Sequence, residues 1–252
     1  MNLLVSVRSE ILKLKRTLTI YLCILAAAFG PLMSFMENLD DLATEPRRNI
    51  AWTVHFLEGR DPVNIALLPF YVILICALML QIEYRDKTWK QVLTSPQPLV
   101  HIFLAKFITL HIMIFAFLIC FNLFLALSGI GTEMMLPTLY EGKLDVFRLI
   151  SVNAQLWFLI MGLSAIQFWL SLRFRNFVAP LAIGVAMWFV APMMLFQFET
   201  TAVEFFPYAF SMLAIVPKFA GNVVTYQWYS IVTALLFLFI AFLEFRKMRV
   251  KN

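Results

Sequence analysis

Uncharged, mostly apolar stretches alternate with short clusters of charge along the whole chain. The charge-free runs cover residues 17–36, 62–82, 107–132, 149–172, 176–198 and 219–243, each 20 to 26 residues long. A helix crosses a hydrocarbon core with roughly 20 apolar residues, so each run suffices for one crossing and none for two. Lipid offers backbone groups no hydrogen-bond partner, and barrel strands would show short alternating segments; runs such as Ile112–Phe121 are continuously apolar instead. The pattern predicts an all-α integral membrane protein with six transmembrane helices, at about 17–36, 63–82, 104–128, 149–172, 177–198 and 224–245. Leu4, Val7, Ile11, Leu14 and Leu18 share an arc of about 80° at helical spacing. They predict an N-terminal interfacial amphipathic helix over 1–16, with Ser9, Lys13 and Arg16 facing away from the stripe. The thirteen uncharged residues 205–217 are too few to cross, which predicts a re-entrant or interfacial segment within 199–220, before the last helix.

Composition excludes other classes. Hydrophobic residues make up 62% of the 252 and charged residues 14%, against about 45–50% and about 25% in soluble domains. Disordered chains, disulfide scaffolds and ordinary soluble enzymes are set aside. Charge then supplies orientation. The N-terminal segment, the 83–106 connection, the 173–175 link and the tail carry 14 of the 20 basic residues and four acids; the other connections carry six and eleven. The positive-inside rule places both termini in the cytoplasm. The net charge of +5 therefore reflects topology and gives no reason to expect a nucleic-acid partner. Tyr21, Trp52, Tyr84, Trp89, Tyr140, Trp169 and Trp228 fall where an interfacial belt would lie. Ala26-Ala27-Ala28 is not read as a cleavage site, because the apolar run continues to Met36. Cys23, Cys76 and Cys120 sit in separate spans and are expected as packed thiols.

Candidate chemistry is sparse. The runs are empty of Asp, Glu, Lys and Arg by construction, so no carboxylate pair is expected in the bilayer. His55, His101 and His111 have no ligand spacing, and Gly142-Lys143-Leu144 is not a phosphate loop. No metal, cofactor or catalytic residue is expected. The spans hold Asn64, Gln81, Asn122, Asn153, Gln155, Gln167 and Gln197, most of them expected in interhelical hydrogen bonds. Asn122, Asn153, Gln155, Gln167 and Gln197 are the candidates to line a path. Gly30-Pro31, Ala179-Pro180 and Ala191-Pro192 are expected to kink spans one and five.

The longest connection on the basic side carries the remaining signal. Thr88 to Leu93 can form a short helix stopped by Pro96 and Pro98, with Trp89 and Leu93 on one face as an apolar knob among charges. Such an exposed aromatic is a candidate partner contact, or a belt anchor. Over its whole length the layout resembles the ABC-2 type permeases, and most closely the short permeases of lantibiotic and bacitracin protection. The local likeness is a loose pattern after span two: Glu83, Lys87-Thr88, Val92-Leu93, Pro96 and Lys106. The resemblance implies a permease subunit of an exporter in a bacterial plasma membrane, driven by a separate ABC ATPase and paired with a second permease chain. It implies that 83–103 is the coupling segment, with Glu83, Lys87, Thr88, Trp89, Val92, Leu93, Pro96 and Lys106 contacting the ATPase. It further implies an amphipathic peptide, drug or lipid-like substrate. A non-transporting scaffold or sensor, and a membrane-embedded enzyme, are the rival classes.

Overall fold

A computed structural model describes residues 2–15, 17–41, 50–89, 92, 97–135 and 140–250. Six helices among them are long and apolar enough to cross a membrane: span one Leu18–Leu39, span two Trp52–Arg85, span three Leu99–Met135, span four Val146–Arg173, span five Val178–Gln197 and span six Val223–Lys247. An N-terminal helix, Leu3–Leu14, precedes them. The protein is all-α, its only described strand pairing being a two-residue parallel ladder between Ile50–Ala51 and Tyr140–Glu141.

The run of span two begins at Trp52, eleven residues before the expected 63: a short helix, Trp52–Glu58, is followed by a turn at Gly59-Arg60, and helical backbone resumes at Asp61. Charge counting ends a helix at any ionisable residue, whereas here the backbone continues through Asp61-Pro62 by a π-helical turn, Val63–Leu67. Pro69 has no N–H to give the Ile65 carbonyl four residues earlier. The indole Nε1 of Trp188, from span five, donates to that oxygen at 2.9 Å. Span five uses the same device at its far end, where Pro192 is followed by a π-helical turn, Met193–Gln197. Pro180, expected to kink the span, instead occupies its first turn, where a missing N–H costs no intrahelical bond.

Span four is broken at Ile160 between two helices, Val146–Leu159 and Met161–Arg173. Ser230 of span six fills the break: its hydroxyl donates to the Leu159 carbonyl at 2.9 Å and accepts from the Gly162 N–H at 2.8 Å. A Cβ at position 162 would lie 3.1 Å from the Ser230 carbonyl oxygen, so glycine is what allows the two backbones this close. The segment before span six is a wedge buried at its centre. Tyr208 to Leu213 are all buried, and Phe210, Met212 and Leu213 share a second core with Leu159, Leu195 and Tyr226.

One end of the bundle gathers the N-terminal helix, the connection after span two and the ends of spans four and six. Tyr84 donates to the Leu172 carbonyl at 2.7 Å, Arg173 pairs with Glu244 at 3.0 Å, and the rings of Trp89 and Phe245 lie 6.0 Å apart. This is the basic end. At the distal end, Tyr140 and the Leu125 carbonyl bracket His55, at 3.0 and 3.2 Å. Cys76 and Cys23 are buried and Cys120 half-buried, all three as free thiols.

Candidate functional site

The predicted pair Glu83 and Lys106 meet at the basic end, with two residues that the sequence did not assign to them. The Lys106 ammonium bonds Glu83 Oε1 and lies 2.9 Å from Glu10 Oε2. Lys13 lies 2.5 Å from Glu10 Oε1 and 3.1 Å from Glu83 Oε1. Glu83 and Lys106 are only 1% and 2% exposed. Two acids and two bases thus form a neutral cluster, buried at Glu83 and Lys106 and partly open at Lys13, that joins the N-terminal helix to the end of span two and the start of span three. Isolated buried charges are costly, and mutual pairing is what makes this burial tolerable.

The N-terminal helix docks on a face rotated from its apolar stripe and sharing Val7 and Leu14 with it. Ser6, Val7, Glu10 and Leu14 are buried, while Leu4 remains exposed. Lys13, expected to face away, turns toward Glu10 and Glu83. Ser6 adds a hydrogen bond from its hydroxyl to Gln97 Oε1 at 2.8 Å, tying the helix to the approach of span three. Burial acts to raise the Glu10 carboxyl, but Lys106 and Lys13 outweigh it and hold the group below the usual value. Burial likewise acts to lower Lys13, and Glu10 and Glu83 raise it above the usual value.

Lys87 and Thr88 end span two by hydrogen-bond geometry. The Thr88 N–H donates to the Glu83 carbonyl at 3.0 Å, and the Lys87 N–H to the Tyr84 carbonyl at 3.4 Å. Lys87 takes the left-handed conformation, φ 52°, that this helix stop requires. The turn sends Trp89 back onto the bundle, 5.2 Å from the Tyr84 ring and 5.6 Å from the Lys106 ammonium. Trp89 is 7% exposed, which corrects its reading as an exposed knob or a belt anchor. Phe245, far away in sequence, supplies the packing that local periodicity could not reveal. The Val92 N–H donates to the Thr88 carbonyl at 3.0 Å, and its side chain packs against the core. Leu93 and Pro96 lie outside the described residues. The exposed side chains of the turn are Arg85, Asp86 and Lys87.

A buried ionic tie between an amphipathic helix and the loop after span two is an arrangement suited to transmitting force between a loop and two spans. A family model described as ABC-2 family transporter protein matches residues 6–191, which contain all of these residues. The chain belongs to the ABC-2 transporter family. No curated protein matches it. It is a multi-pass membrane protein and a permease subunit of an ABC-type exporter, in a family that associates with an ABC ATPase.

Four of the five polar residues read as path candidates hold the permease together or lie off its cleft. Asn122 and Asn153 pair across spans three and four, the Asn122 amide donating to Asn153 Oδ1 at 3.0 Å. Gln167 is fully buried; it donates to the Pro180 carbonyl at 2.7 Å and accepts from the Tyr208 hydroxyl at 3.2 Å. Gln197 is exposed at the end of span five, away from the cleft walls. Gln155 alone lines the large cleft, an opening of about 350 Å³ at the distal end, between spans two, four and the wedge before span six.

Proposed function

We propose that this permease subunit is powered by a separate ATPase seated on the basic end, against the 83–103 segment and the N-terminal helix. The observation that carries the reading is the buried Glu10–Lys13–Glu83–Lys106 cluster. A load applied to the turn at Arg85–Thr88 passes directly into spans two and three, because Glu83 lies in the last turn of span two and Lys106 is the first charged group of span three. In this reading the basic end is cytoplasmic, as its excess of Lys and Arg supports, and the membrane is a bacterial plasma membrane. Two permease chains, identical or related, enclose the path, as in the lantibiotic- and bacitracin-protection permeases that the pattern from Glu83 to Lys106 resembles. The substrate is amphipathic: a peptide, a drug or a lipid-like molecule.

The burial of Trp89 shifts the ATPase contact to the exposed charges beside it. Arg85→Glu combined with Lys87→Glu is therefore expected to abolish co-purification of the ATPase while the permease still inserts and folds. Unchanged co-purification would reject the seating and favour a scaffold that recruits its partner elsewhere.

A further inference from the structure

The distal cleft contains a charge, on Arg60, that no carboxylate among the described residues pairs by contact, although the adjacent Asp61 acts on it through its field. Arg60 forms part of the cleft wall and is 2% exposed. One guanidinium nitrogen, Nη2, donates to the Val152 carbonyl of span four at 3.2 Å. The other, Nη1, has no partner, and neither has Oδ1 of Asn64, one helical turn along the same wall. No carboxylate among the described residues lies within ion-pairing distance of Arg60. Asp61, which also lines the cleft, is exposed and makes no such pair. A guanidinium buried this completely is costly unless something pairs with it.

Depth indicates what the partner is. Arg60 and Arg85 are 25 residues apart in one span, about 38 Å along a helix at 1.5 Å per residue. A bilayer measures about 40–45 Å with its head groups and about 30 Å without them. With Arg85 among the head groups of one leaflet, Arg60 reaches the phosphate layer of the other. Beside the polar Asp61, Asn64 and Gln155, the cleft has an apolar side, Leu57, Leu156, Leu159, Ile215 and Val223, which suits an acyl chain rather than a bare ion.

We infer that this cleft binds the phosphate of an acylated, lipid-like molecule, with Arg60 holding the phosphate oxygens and the leucine-rich wall holding the chain. A planar guanidinium with a free edge suits a phosphate better than a point charge does. The inference names a ligand class for the proposed exporter but is tested by binding alone. Binding without ATP-driven movement would refute the transport reading and leave this one standing.

The experiment is calorimetric titration of the purified chain in dodecyl maltoside micelles. Dioctanoyl phosphatidic acid, neutral dioctanoylglycerol and inorganic phosphate are added in separate titrations. The phosphatidic acid is expected to bind saturably, at least about tenfold more tightly than either of the others. Arg60→Gln is expected to weaken it by about 10- to 100-fold, the range for a charge-assisted hydrogen bond. Ala220→Trp, placed at an exposed position on the cleft wall, is expected to abolish binding with Arg60 intact. Thermal unfolding checks both variants, and if Arg60→Gln fails to fold, Ala220→Trp decides. Equal affinity for dioctanoylglycerol, or binding unchanged in a folded variant, overturns the assignment. Inorganic phosphate binding as tightly as the lipid makes this a free-anion site and also overturns it.

Discussion

Replacing Lys106 with Met is the sharpest perturbation of the ionic cluster, because it keeps most of the side chain's bulk and removes only the charge. In the native protein the ammonium serves Glu83 and Glu10 together. Without it, Glu83 retains only Lys13, 3.1 Å away and partly exposed, and the cluster carries an uncompensated negative charge. Removing one partner of a buried pair typically costs about 3–5 kcal/mol, or two to four orders of magnitude in the folded-to-unfolded ratio. Adding Glu83→Gln restores neutrality, since Glu10 and Lys13 still pair at 2.5 Å. The double variant is expected to lose about 1–2 kcal/mol, the scale of an ordinary buried hydrogen bond. The two substitutions are then strongly non-additive, with a coupling energy of about 2 kcal/mol or more. Reversible unfolding in mixed detergent micelles, followed by tryptophan fluorescence, measures all four corners of the cycle. A Lys106→Met variant within about 0.5 kcal/mol of the native protein, the usual scale of surface substitutions, would refute the claim that this charge is buried and paired. So would simple additivity.

Three further outcomes follow from local geometry. Glu10 is held below its ordinary value of 4.5, so its stabilising contribution is present above about pH 4.5 and is lost as pH falls through the depressed value; Lys13 is raised, so its contribution is present below about pH 10.5 and is lost as pH rises through the elevated value. Glu10→Gln should shrink the acid limb of stability measured against pH; an unchanged acid limb would contradict the pairing. Gly162→Ala should destabilise by about 1–3 kcal/mol, because the new methyl meets the Ser230 backbone at 3.1 to 3.3 Å, and a neutral effect on unfolding would show that the spans move apart freely. Lys87→Gly should stabilise by up to about 1 kcal/mol by relieving the left-handed backbone, whereas Lys87→Val should cost more than that in the same unfolding assay.

The spans were legible because lipid imposes one demand, an uncharged run of sufficient length, and six runs meet it. What escaped was every place where a polar group stays inside. Arg60 looked like a loop residue because a charge count treats any arginine as a boundary, yet it sits in a tight turn between the Trp52–Glu58 helix and the helical backbone that resumes at Asp61. Glu83 and Lys106 stood out through their family-like spacing. Glu10 and Lys13 did not, because an apolar stripe predicts which face seeks lipid and not which face meets an ion pair. Trp89 at helical spacing from Leu93 gave no hint of Phe245, whose contact depends on how span six returns to the basic end. Gln167 read as a path residue because sequence does not show that its amide is enclosed between the Pro180 carbonyl and the Tyr208 hydroxyl.

The central claim is that the buried cluster transmits the ATPase's movement to spans two and three rather than merely holding the partner. The direct measurement is ATP turnover of the ATPase co-reconstituted in vesicles with the native permease or with the Lys106→Met and Glu83→Gln double variant. The account predicts that both permeases retain the ATPase and that only the native one stimulates its turnover. Full stimulation by the folded double variant would contradict it.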